Sequence, residues 1–570
     1  MPTAPMSTLS RVFLFVAHRL FPLVLVFSPC SALASVFYVD PRNGSPDNDG
    51  SKEHPWLTLE QVLDNNLIQG RQCSSLPYTA DCDMVVKNPD APVKPGDTIR
   101  LLSGYHGQIT IQDAYLEEPI TVEAEPGEIP AIKSLRCLGA SNWIFRGLSI
   151  SPSSTEPYER IRDLVMLENH GFHGPCKQVT IEDCNLFSVR DASSWTKDDW
   201  NNLSCSGIAV QGPDCTIRNN KLKNVDFGIS VTGANAIISD NTVENFSGDG
   251  LRGLGDYGLF EHNLVMNCYD VNDNHDDGFQ SWSVGTDGVG TGQVQGVVLR
   301  ANTIINYTDP DQPFRGPLQG IGCFDGFYTD WVVENNVIIT DHWHGITFLG
   351  ARDVRVVNNT VIDINQEEPG PVWVKIGPHK NGTPSSGWIV RNNIVMSLQV
   401  DDTGTADHNM VVDFNWARKY FTDYSGNDVH LTSDSPAIDT GSSDLAPLVD
   451  HDGKTRPQGA GIDIGAYEWS VQLPPDAGPD SDDGTDASGK DAGNVSDSGS
   501  VTDDSDGGIS NDSQPDEDEV HAQDGDDNTS VVISSEGCSC NSGHGKAGMI
   551  LLALTVFSII AGTMKHRTRT

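Results

Sequence analysis

Short runs of β-branched and other apolar residues recur along the middle of the chain, each bounded by Gly, Asn or Asp. Examples are Thr216-Ile217, Val332-Val333 and the run from Val354 to Val357. Such runs between turn residues predict short β-strands, and no convincing amphipathic helical pattern interrupts them. The central chain is therefore predicted to be all-β.

An Asn followed one or two positions later by an apolar residue marks each unit of this pattern. Successive marks are 35, 21, 22, 39, 34, 23 and 34 residues apart, a base unit near 22 with insertions. Self-similarity at that period indicates a solenoid, and the leucine scaffold of a leucine-rich repeat is missing. The predicted fold class is a right-handed parallel β-helix whose buried Asn residues form hydrogen-bond ladders. The marks are Asn185, Asn220, Asn241, Asn263, Asn302, Asn336, Asn359 and Asn393.

A second series consists of glycines that are each followed by Ile, Leu or Phe. Residues at equivalent positions of neighbouring solenoid coils lie roughly 4.8 Å apart. If the glycines stack, the side chains just before them form a column, which makes that column a candidate site. Its members are Ser206, Phe227, Asp249, Asp277, Gln319 and His344.

Carboxylates are concentrated at one point of this column. Asp249 precedes one glycine, Asp276 and Asp277 precede the next, and Gln280 follows two residues after it. Neighbouring carboxylates repel one another and raise each other's pKa unless a cation lies between them. Calcium takes roughly six to eight oxygen ligands, and these four side chains offer several. They are the predicted metal ligands.

This pattern resembles the calcium-dependent pectate lyases with ten-coil β-helices, in which an Asp-Gly-Phe coil precedes an Asp-Asp-Gly-Phe-Asp coil. The resemblance implies calcium at Asp249, Asp276 and Asp277, and β-elimination on an acidic polysaccharide. Two positions differ, because Gln280 stands where the family has a further Asp and Leu251 replaces the first Phe.

The base is the main departure from that family, which uses a lysine. This chain has no lysine between Lys223 and Lys375. Arginine is the base in other β-helix lyases, and a histidine could also accept the proton. The sequence leaves the catalytic candidates open among Arg252, Arg315, His275, His342 and His344.

The column also supports other chemistries. Asp277, Gln319 and His344 form a strip that could run hydrolysis or sugar epimerisation by general acid/base catalysis. Aromatic side chains nearby are of the kind that sugars stack upon, and Trp282, Gln319 and Trp343 are the predicted substrate contacts. Further aromatic candidates are Tyr328, Trp331 and Trp373. The alternative from a different class of function is a glycan-binding or adhesive surface protein, which would have the same solenoid and no catalytic activity.

The chain ends carry predicted targeting segments. Residues 1–34 have the charge, apolar run and Ala-Leu-Ala site of an export signal. Export permits disulfides, and Cys73 with Cys82, Cys176 with Cys184, and Cys205 with Cys215 are candidate pairs. Residues 537–570 contain a Cys motif, an apolar run and a basic cluster, which resembles myxobacterial C-terminal sorting signals and implies surface delivery with at least transient membrane contact.

Domain boundaries follow from these changes of composition. We expect an N-terminal cap and first coils over 35–130, the β-helix over 131–400, a closing segment over 401–470 and a disordered acidic linker over 471–536. The closing segment resembles the ending of choice-of-anchor Q surface proteins, and Asp439, Asp463 and Glu468 are interpreted as its structural turn residues.

The net charge of −43 limits the partners. Nucleic acid is disfavoured because phosphates require Lys and Arg contacts. An acidic polysaccharide or another glycan is the expected partner, and a bridging cation would offset the charge repulsion with an acidic one.

Overall fold

The structure is a computed structural model that describes residues 34–470 of the 570-residue chain. The predicted acidic linker, the sorting tail and nearly all of the export signal lie outside the described residues. Between residues 34 and 470, no helix combines the length and apolarity needed to cross a membrane.

The described chain winds into a solenoid whose coils stack their strands in three parallel ladders. The first, here called face A, pairs each strand with the equivalent strand of the next coil. Its strands are Asp163–His170, Ser206–Val210, Ile229–Val231, Leu251–Gly253, Asp277–Trp282, Gln319–Asp325, His344–Leu349, Trp373–Gly377 and Ser397–Val400.

Faces B and C complete the coil. Face B comprises Val36–Val39, Thr98–Leu101, Thr180–Glu182, Thr216–Arg218, Ile237–Ser239, Leu259–Glu261, Val298–Arg300, Val332–Glu334, Arg355–Val357, Ile389–Arg391 and Thr405–Asp407. Two long strands, Ile109–Ala124 and Leu135–Arg146, contribute to both A and B. Face C comprises Gly104–Tyr105, Pro130–Ile132, Ser149–Ile150, Asn185–Phe187, Lys221–Val225, Thr242–Phe246, Leu264–Cys268, Thr303–Ile305, Val337–Thr340, Thr360–Asp363, Ile394–Val395 and Met410–Val411.

The remaining elements are short and lie in the cap, the inserted loops and the closing segment. The α-helices are Leu59–Asp64, Lys197–Leu203 and Phe414–Tyr420, and the 3-10 turns are Pro152–Ser154 and Tyr424–Gly426. The other strands are Gly70–Cys73, Met84–Lys87, Gly174–Lys177, Val284–Gly285, Gly288–Val289, Gln293–Gln295, Phe327–Thr329, Ala351–Arg352, Phe421–Asp423 and Asp428–Leu431.

A ladder of buried asparagines runs along one turn of the solenoid, as the sequence predicted. Each Oδ1 accepts two hydrogen bonds from the Asn of the preceding coil, one from its backbone N–H and one from its Nδ2, at 2.9–3.1 Å. The second Nδ2 hydrogen of each goes to a backbone carbonyl. The ladder is Asn220, Asn241, Asn263, Asn302, Asn336, Asn359, Asn393 and Asn409.

The predicted first member was wrong by one position. Asn185 is exposed and pairs in register with Lys221, so it lies outside the ladder. Cys184 occupies the ladder position in that coil, and its backbone N–H donates to Asn220 Oδ1 at 3.0 Å. The ladder also continues past Asn393 to Asn409.

The residue before each ladder Asn adopts a left-handed conformation, with φ between 50° and 57°. Asn and Asp tolerate this region because their short polar side chains bond locally. In most of these turns, a polar left-handed residue therefore directly precedes the ladder Asn in the sequence. The left-handed positions are Asn219, Asp240, His262, Ala301, Asn335, Asn358, Asn392 and His408.

The core fills the space between the three faces. Phe279, Trp331, Tyr328 and Phe348 pack edge-to-face inside the coils, with ring centroids 5.5–6.2 Å apart. Tyr328 and Trp331 are fully buried, so their prediction as sugar platforms was wrong.

The cysteines are mostly core residues. Cys73 and Cys82 form the predicted disulfide in the cap. Cys176, Cys184, Cys205 and Cys215 are free and buried, so the other two predicted pairs are wrong. Their side chains point into the solenoid, where they pack as small apolar groups.

The closing segment is held by a buried ion pair. Arg456 Nη1 lies 2.6 Å from Glu468 Oε1, and both side chains are fully buried. Arg456 Nη2 donates to Asn335 Oδ1 of a solenoid turn at 3.0 Å. Asp463 Oδ1 accepts the backbone N–H of Asp439 at 2.7 Å. These contacts support the structural role predicted for the acidic residues of this segment.

We predict that Asn302→Ala destabilises the protein by about 1–3 kcal/mol, because it strands the buried donors of Asn263 without an acceptor. Urea unfolding measures the effect, and Asn185→Ala is the matched control, with an expected change within about 0.5 kcal/mol. Equal losses in the two variants would contradict the ladder.

Candidate functional site

The predicted column stacks as expected on face A. Asp277 pairs in register with Gln319, and the N–H of Gly250 donates to the Asp277 carbonyl at 2.9 Å. A Cβ built on Gly228 would lie 2.2 Å from the carbonyl oxygen of Gly250. Glycine is therefore needed where the chain turns into the strand, and this fixes the residues before it in a row.

An arginine lies at the centre of the acidic cluster. Arg252 Nε donates to Asp249 Oδ2 at 2.5 Å, and the guanidinium carbon lies 3.6 Å from the Phe227 ring centroid and 5.5 Å from that of Trp282. Arg252 is only 7% exposed. The other Asp249 oxygen accepts the N–H of Asp277 at 3.0 Å. Both oxygens of Asp249 are thus occupied.

Asp277 is fully buried, next to this pair. Its Oδ2 accepts a hydrogen bond from Gln280 Nε2 at 3.0 Å, whereas Oδ1 has no partner among the described residues. A Cβ on Gly322 would lie 2.2 Å from that Oδ1, so the glycine makes room for the carboxyl group. Asp276, also buried, accepts Asn274 Nδ2 at 2.9 Å.

Burial dominates the electrostatics of these acids. It raises the pKa of Asp276 and Asp277 well above the ordinary value, and the Asp249 carboxylate raises both further. Burial also raises the pKa of Asp249, but the Arg252 guanidinium opposes that shift. Asp249 is therefore best described as ionised against Arg252, with Asp277 protonated beside it.

The predicted calcium ligands lie together, and one of them, Asp249, is already paired with Arg252. The charge that calcium would supply comes from Arg252, and Gln280 directs its amide hydrogens at Asp277. Within residues 34–470, no group of three or more His, Cys, Asp or Glu side chains has the mutual placement of a metal site. Three buried oxygens beside Asp277 have no partner among the described residues, so calcium binding stays a prediction. They are Asp277 Oδ1, Gln280 Oε1 and Gln319 Oε1.

A second cluster forms two coils further along face A. His344 Nδ1 lies 2.9 Å from Thr347 Oγ1, and Trp373 Nε1 donates to the same oxygen at 3.1 Å. The Trp373 ring lies edge-on to His344, with centroids 5.1 Å apart, and Lys375 Nζ lies 4.8 Å from the Trp373 centroid. Thr347 thus holds an imidazole and an indole beside an ammonium group.

An aromatic platform borders this second cluster. Trp343 is 41% exposed and stacks on Trp373 at an angle of 16°, with centroids 6.1 Å apart. His342 stacks on His344 at 5.1 Å, and Phe324 approaches the other side of His344 at 4.8 Å. Half-buried rings around a polar centre are the usual lining of a sugar site.

The histidines are neutral at physiological pH. Burial, with help from His342 and Lys375, lowers the pKa of His344 to about 3, and burial with His275 lowers that of His342 to about 4. Burial also lowers the pKa of His275, which is half-buried. A neutral imidazole is able to accept a proton, but the lowered pKa makes it a weaker base than a free histidine, so an anion beside it must stabilise the imidazolium that forms.

The other predicted site residues take separate positions. Arg315 is exposed, pairs with Glu367 at 3.3 Å and lies over the Tyr307 ring. Gln319 is buried beside Asp277, and its Oε1 has no partner in the described part of the chain. Trp282 is half-buried against Arg252.

Lys375 and Thr347 were not predicted as site residues from the sequence. They occupy one outward row with Gln280 and Gly322, as the strand registers show. Counting along the chain misses them, because the register shifts between His344 and Ile346 and an inserted loop precedes Trp373.

The sequence matches the family model for a right-handed β-helix region over residues 203–395. With the parallel ladders, this confirms the predicted fold class, a right-handed parallel β-helix. No curated protein matches the sequence.

Solved structures of similar shape include three carbohydrate-related proteins. Pectate lyase Pel9A is 15% identical over 77% of this chain and 97% of its own, with a TM-score of 0.39. XylC in complex with xylose is 10% identical over 76% and 98%, with a TM-score of 0.43. The A-module of the Azotobacter vinelandii mannuronan C-5 epimerase AlgE4 is 13% identical over 55% and 91%, with a TM-score of 0.29. At such values the likeness says nothing about activity.

We predict that Asp277→Asn stabilises the protein more at pH 8 than at pH 5. A buried acid with a raised pKa favours folding below its unfolded pKa of about 3.9, and this contribution is lost as the pH rises towards the folded pKa. Asn keeps the acceptor for Gln280 without ionising. Urea midpoints at the two pH values measure the difference, and the exposed Asp330→Asn is the control. A pH-independent effect of Asp277→Asn would contradict a protonated Asp277.

A calcium titration tests how the acidic cluster is neutralised. If Arg252 holds Asp249 in solution, millimolar calcium and a chelator leave the melting temperature of the wild type unchanged. A calcium-dependent rise that Asp277→Ala abolishes would instead establish the metal site that the sequence predicted.

Proposed function

We propose that this protein is a carbohydrate-active β-helix protein that cleaves an acidic polysaccharide by β-elimination at the second cluster of face A. One observation carries the proposal: a half-buried His344 is fixed by Thr347 next to the Lys375 ammonium and a pair of tryptophans. A base, a cation and an aromatic platform are the groups that elimination on a uronate requires.

His344 is the proposed base. When Nδ1 donates its hydrogen to Thr347 Oγ1, 2.9 Å away, the lone pair of Nε2 is free to accept a proton. The proton next to the uronate carboxylate moves to Nε2, and its electron pair forms the new carbon–carbon double bond. The bond from the β carbon to the glycosidic oxygen breaks, and that oxygen takes a proton from water.

Lys375 is the proposed electrostatic partner. It is in register with Thr347, and its side chain lies on the outer side of the solenoid against Trp373. An ammonium group there pairs with the uronate carboxylate and stabilises the enolate-like charge that develops as the proton leaves. It also offsets the repulsion between an acidic protein and an acidic polymer.

The alternatives are supported less well by the geometry. A hydrolase or epimerase based on the Asp/His strip needs Asp277 to reach the sugar, but this carboxyl group is fully buried. A glycan-binding protein without chemistry needs only the Trp343 and Trp373 platform, so it is the second candidate. Export and surface delivery are proposed with either function and rest on the chain ends alone.

We predict that His344→Ala lowers kcat by about 100- to 10,000-fold while the protein stays folded, because the proton loses its acceptor. The ultraviolet absorbance of unsaturated uronate, with pectate, alginate and glycosaminoglycans as substrates, measures turnover.

His262→Asn is the matched control for this variant. His262 is an exposed turn residue on the asparagine ladder side, and Asn suits its left-handed conformation. Wild-type rates are expected for the control. Full activity of His344→Ala would exclude His344 as the base, and binding without turnover by the wild type would favour the glycan-binding protein.

A further inference from the structure

A trough opens on face A on the other side of Arg252 from the His344 cluster. Its volume is about 120 Å³, and Arg252 and Phe227 form one end, with Arg162 and Asp163 at the other. Between these ends the lining includes the small side chains of Ala209 and Ser230 and the larger one of Met166, which is in register with Ala209. The two ends of the trough therefore carry charged side chains.

Arg252 lines this trough and carries a buried donor without a partner among the described residues. Its Nε is bonded to Asp249 and its plane is fixed by Phe227, but Nη2 is buried and has no hydrogen-bond partner among the described residues. A guanidinium has five N–H donors, so it can bind a second acceptor while it keeps Asp249. A buried donor without a partner costs roughly 1–3 kcal/mol, which a ligand acceptor would recover.

A second arginine stands at the far end of the trough. Arg162 pairs with Asp163 at 2.6 Å, and its side chain is 58% exposed. The Asp163 side chain is only 13% exposed, so a ligand that draws Arg162 away has to offset the loss of this ion pair. Two arginines thus line the trough, one at each end.

The trough and the proposed site lie on the same face of the solenoid, although Gln280 and Thr347 between them are buried. One unbroken outward row, in strand register throughout, connects them. The row consists of Ala209, Ser230, Arg252, Gln280, Gly322, Thr347 and Lys375. Five coil steps of about 4.8 Å separate Ser230 from Lys375, or ~24 Å along the solenoid axis.

We infer that this trough is a remote subsite for a uronate carboxylate of the same polysaccharide, which lies along the outward row with Arg252 Nη2 as the carboxylate donor. The inference rests on the proposed function. It makes Arg252 a residue for substrate recognition, with Asp249 and Phe227 as the groups that orient it. The subsite gives the protein a preference for long acidic chains, because short ones cannot reach both ends.

Ser230→Tyr tests the subsite in the full-length protein by filling the trough. Ser230 is in register with Arg252, so the new ring packs against that arginine, and it leaves the His344 cluster four coils away untouched. Thr242→Tyr is the matched control, because Thr242 is a half-buried strand residue on face C of the same coil. Isothermal titration with uronate trisaccharides and decasaccharides of galacturonate, mannuronate and guluronate measures binding.

The wild type is expected to bind the decasaccharide of its preferred uronate about tenfold more tightly than the trisaccharide. Ser230→Tyr is expected to lose this difference and to keep the trisaccharide affinity, whereas Thr242→Tyr retains both. Arg252→Lys, which keeps a charge for Asp249 but loses the planar fork, is expected to weaken decasaccharide binding as well.

Unchanged decasaccharide binding by Ser230→Tyr overturns the subsite, and the proposed function survives if trisaccharides are still cleaved. Equal affinity for a neutral xylan decasaccharide overturns the carboxylate preference. Absence of binding and of cleavage with every uronate oligomer overturns the subsite and the proposed function together.

Discussion

The buried asparagine ladder is the interaction on which the rest of the structure depends. Each Asn from Asn241 to Asn393 donates both hydrogens of its amide and accepts two hydrogen bonds, so these buried amides are fully paired. The Asn-to-Asn hydrogen bonds form between equivalent residues of neighbouring coils, and this fixes the register between the coils. A slip of one residue would strand these groups and turn the apolar side chains outward.

Because of this register, residues at equivalent positions of successive coils lie side by side on one face of the solenoid. Asp249, Asp277 and Gln319 are distant in sequence but adjacent in space, because the strands that carry them pair coil to coil. The same repeat brings Arg252 beside Asp249, where a guanidinium supplies the positive charge that neighbouring carboxylates need. The outward row then leads from Arg252 to Thr347 and Lys375, and Thr347 contacts the half-buried His344.

The periodic features of this protein were predictable from sequence, and the non-periodic ones were not. The Asn and Gly marks predict the fold and the Asp277 column, because both arise from close packing that recurs in every coil. Asn185 was misplaced because Asn-Leu also suits an ordinary strand start, and only the hydrogen bond of Cys184 distinguishes the position. Tyr328 and Trp331 were misread because strands this short do not show which residues face inward. Lys375 was missed behind a register shift and an inserted loop, which no count along the chain reveals.

The most direct experiment is mass spectrometry of the products that the full-length protein releases from pectate, alginate and glycosaminoglycans. Elimination with His344 as the base predicts oligosaccharides with an unsaturated end, each lighter by one water than the hydrolysis product. Saturated products, or an intact polymer that is nonetheless bound, would contradict elimination at this site.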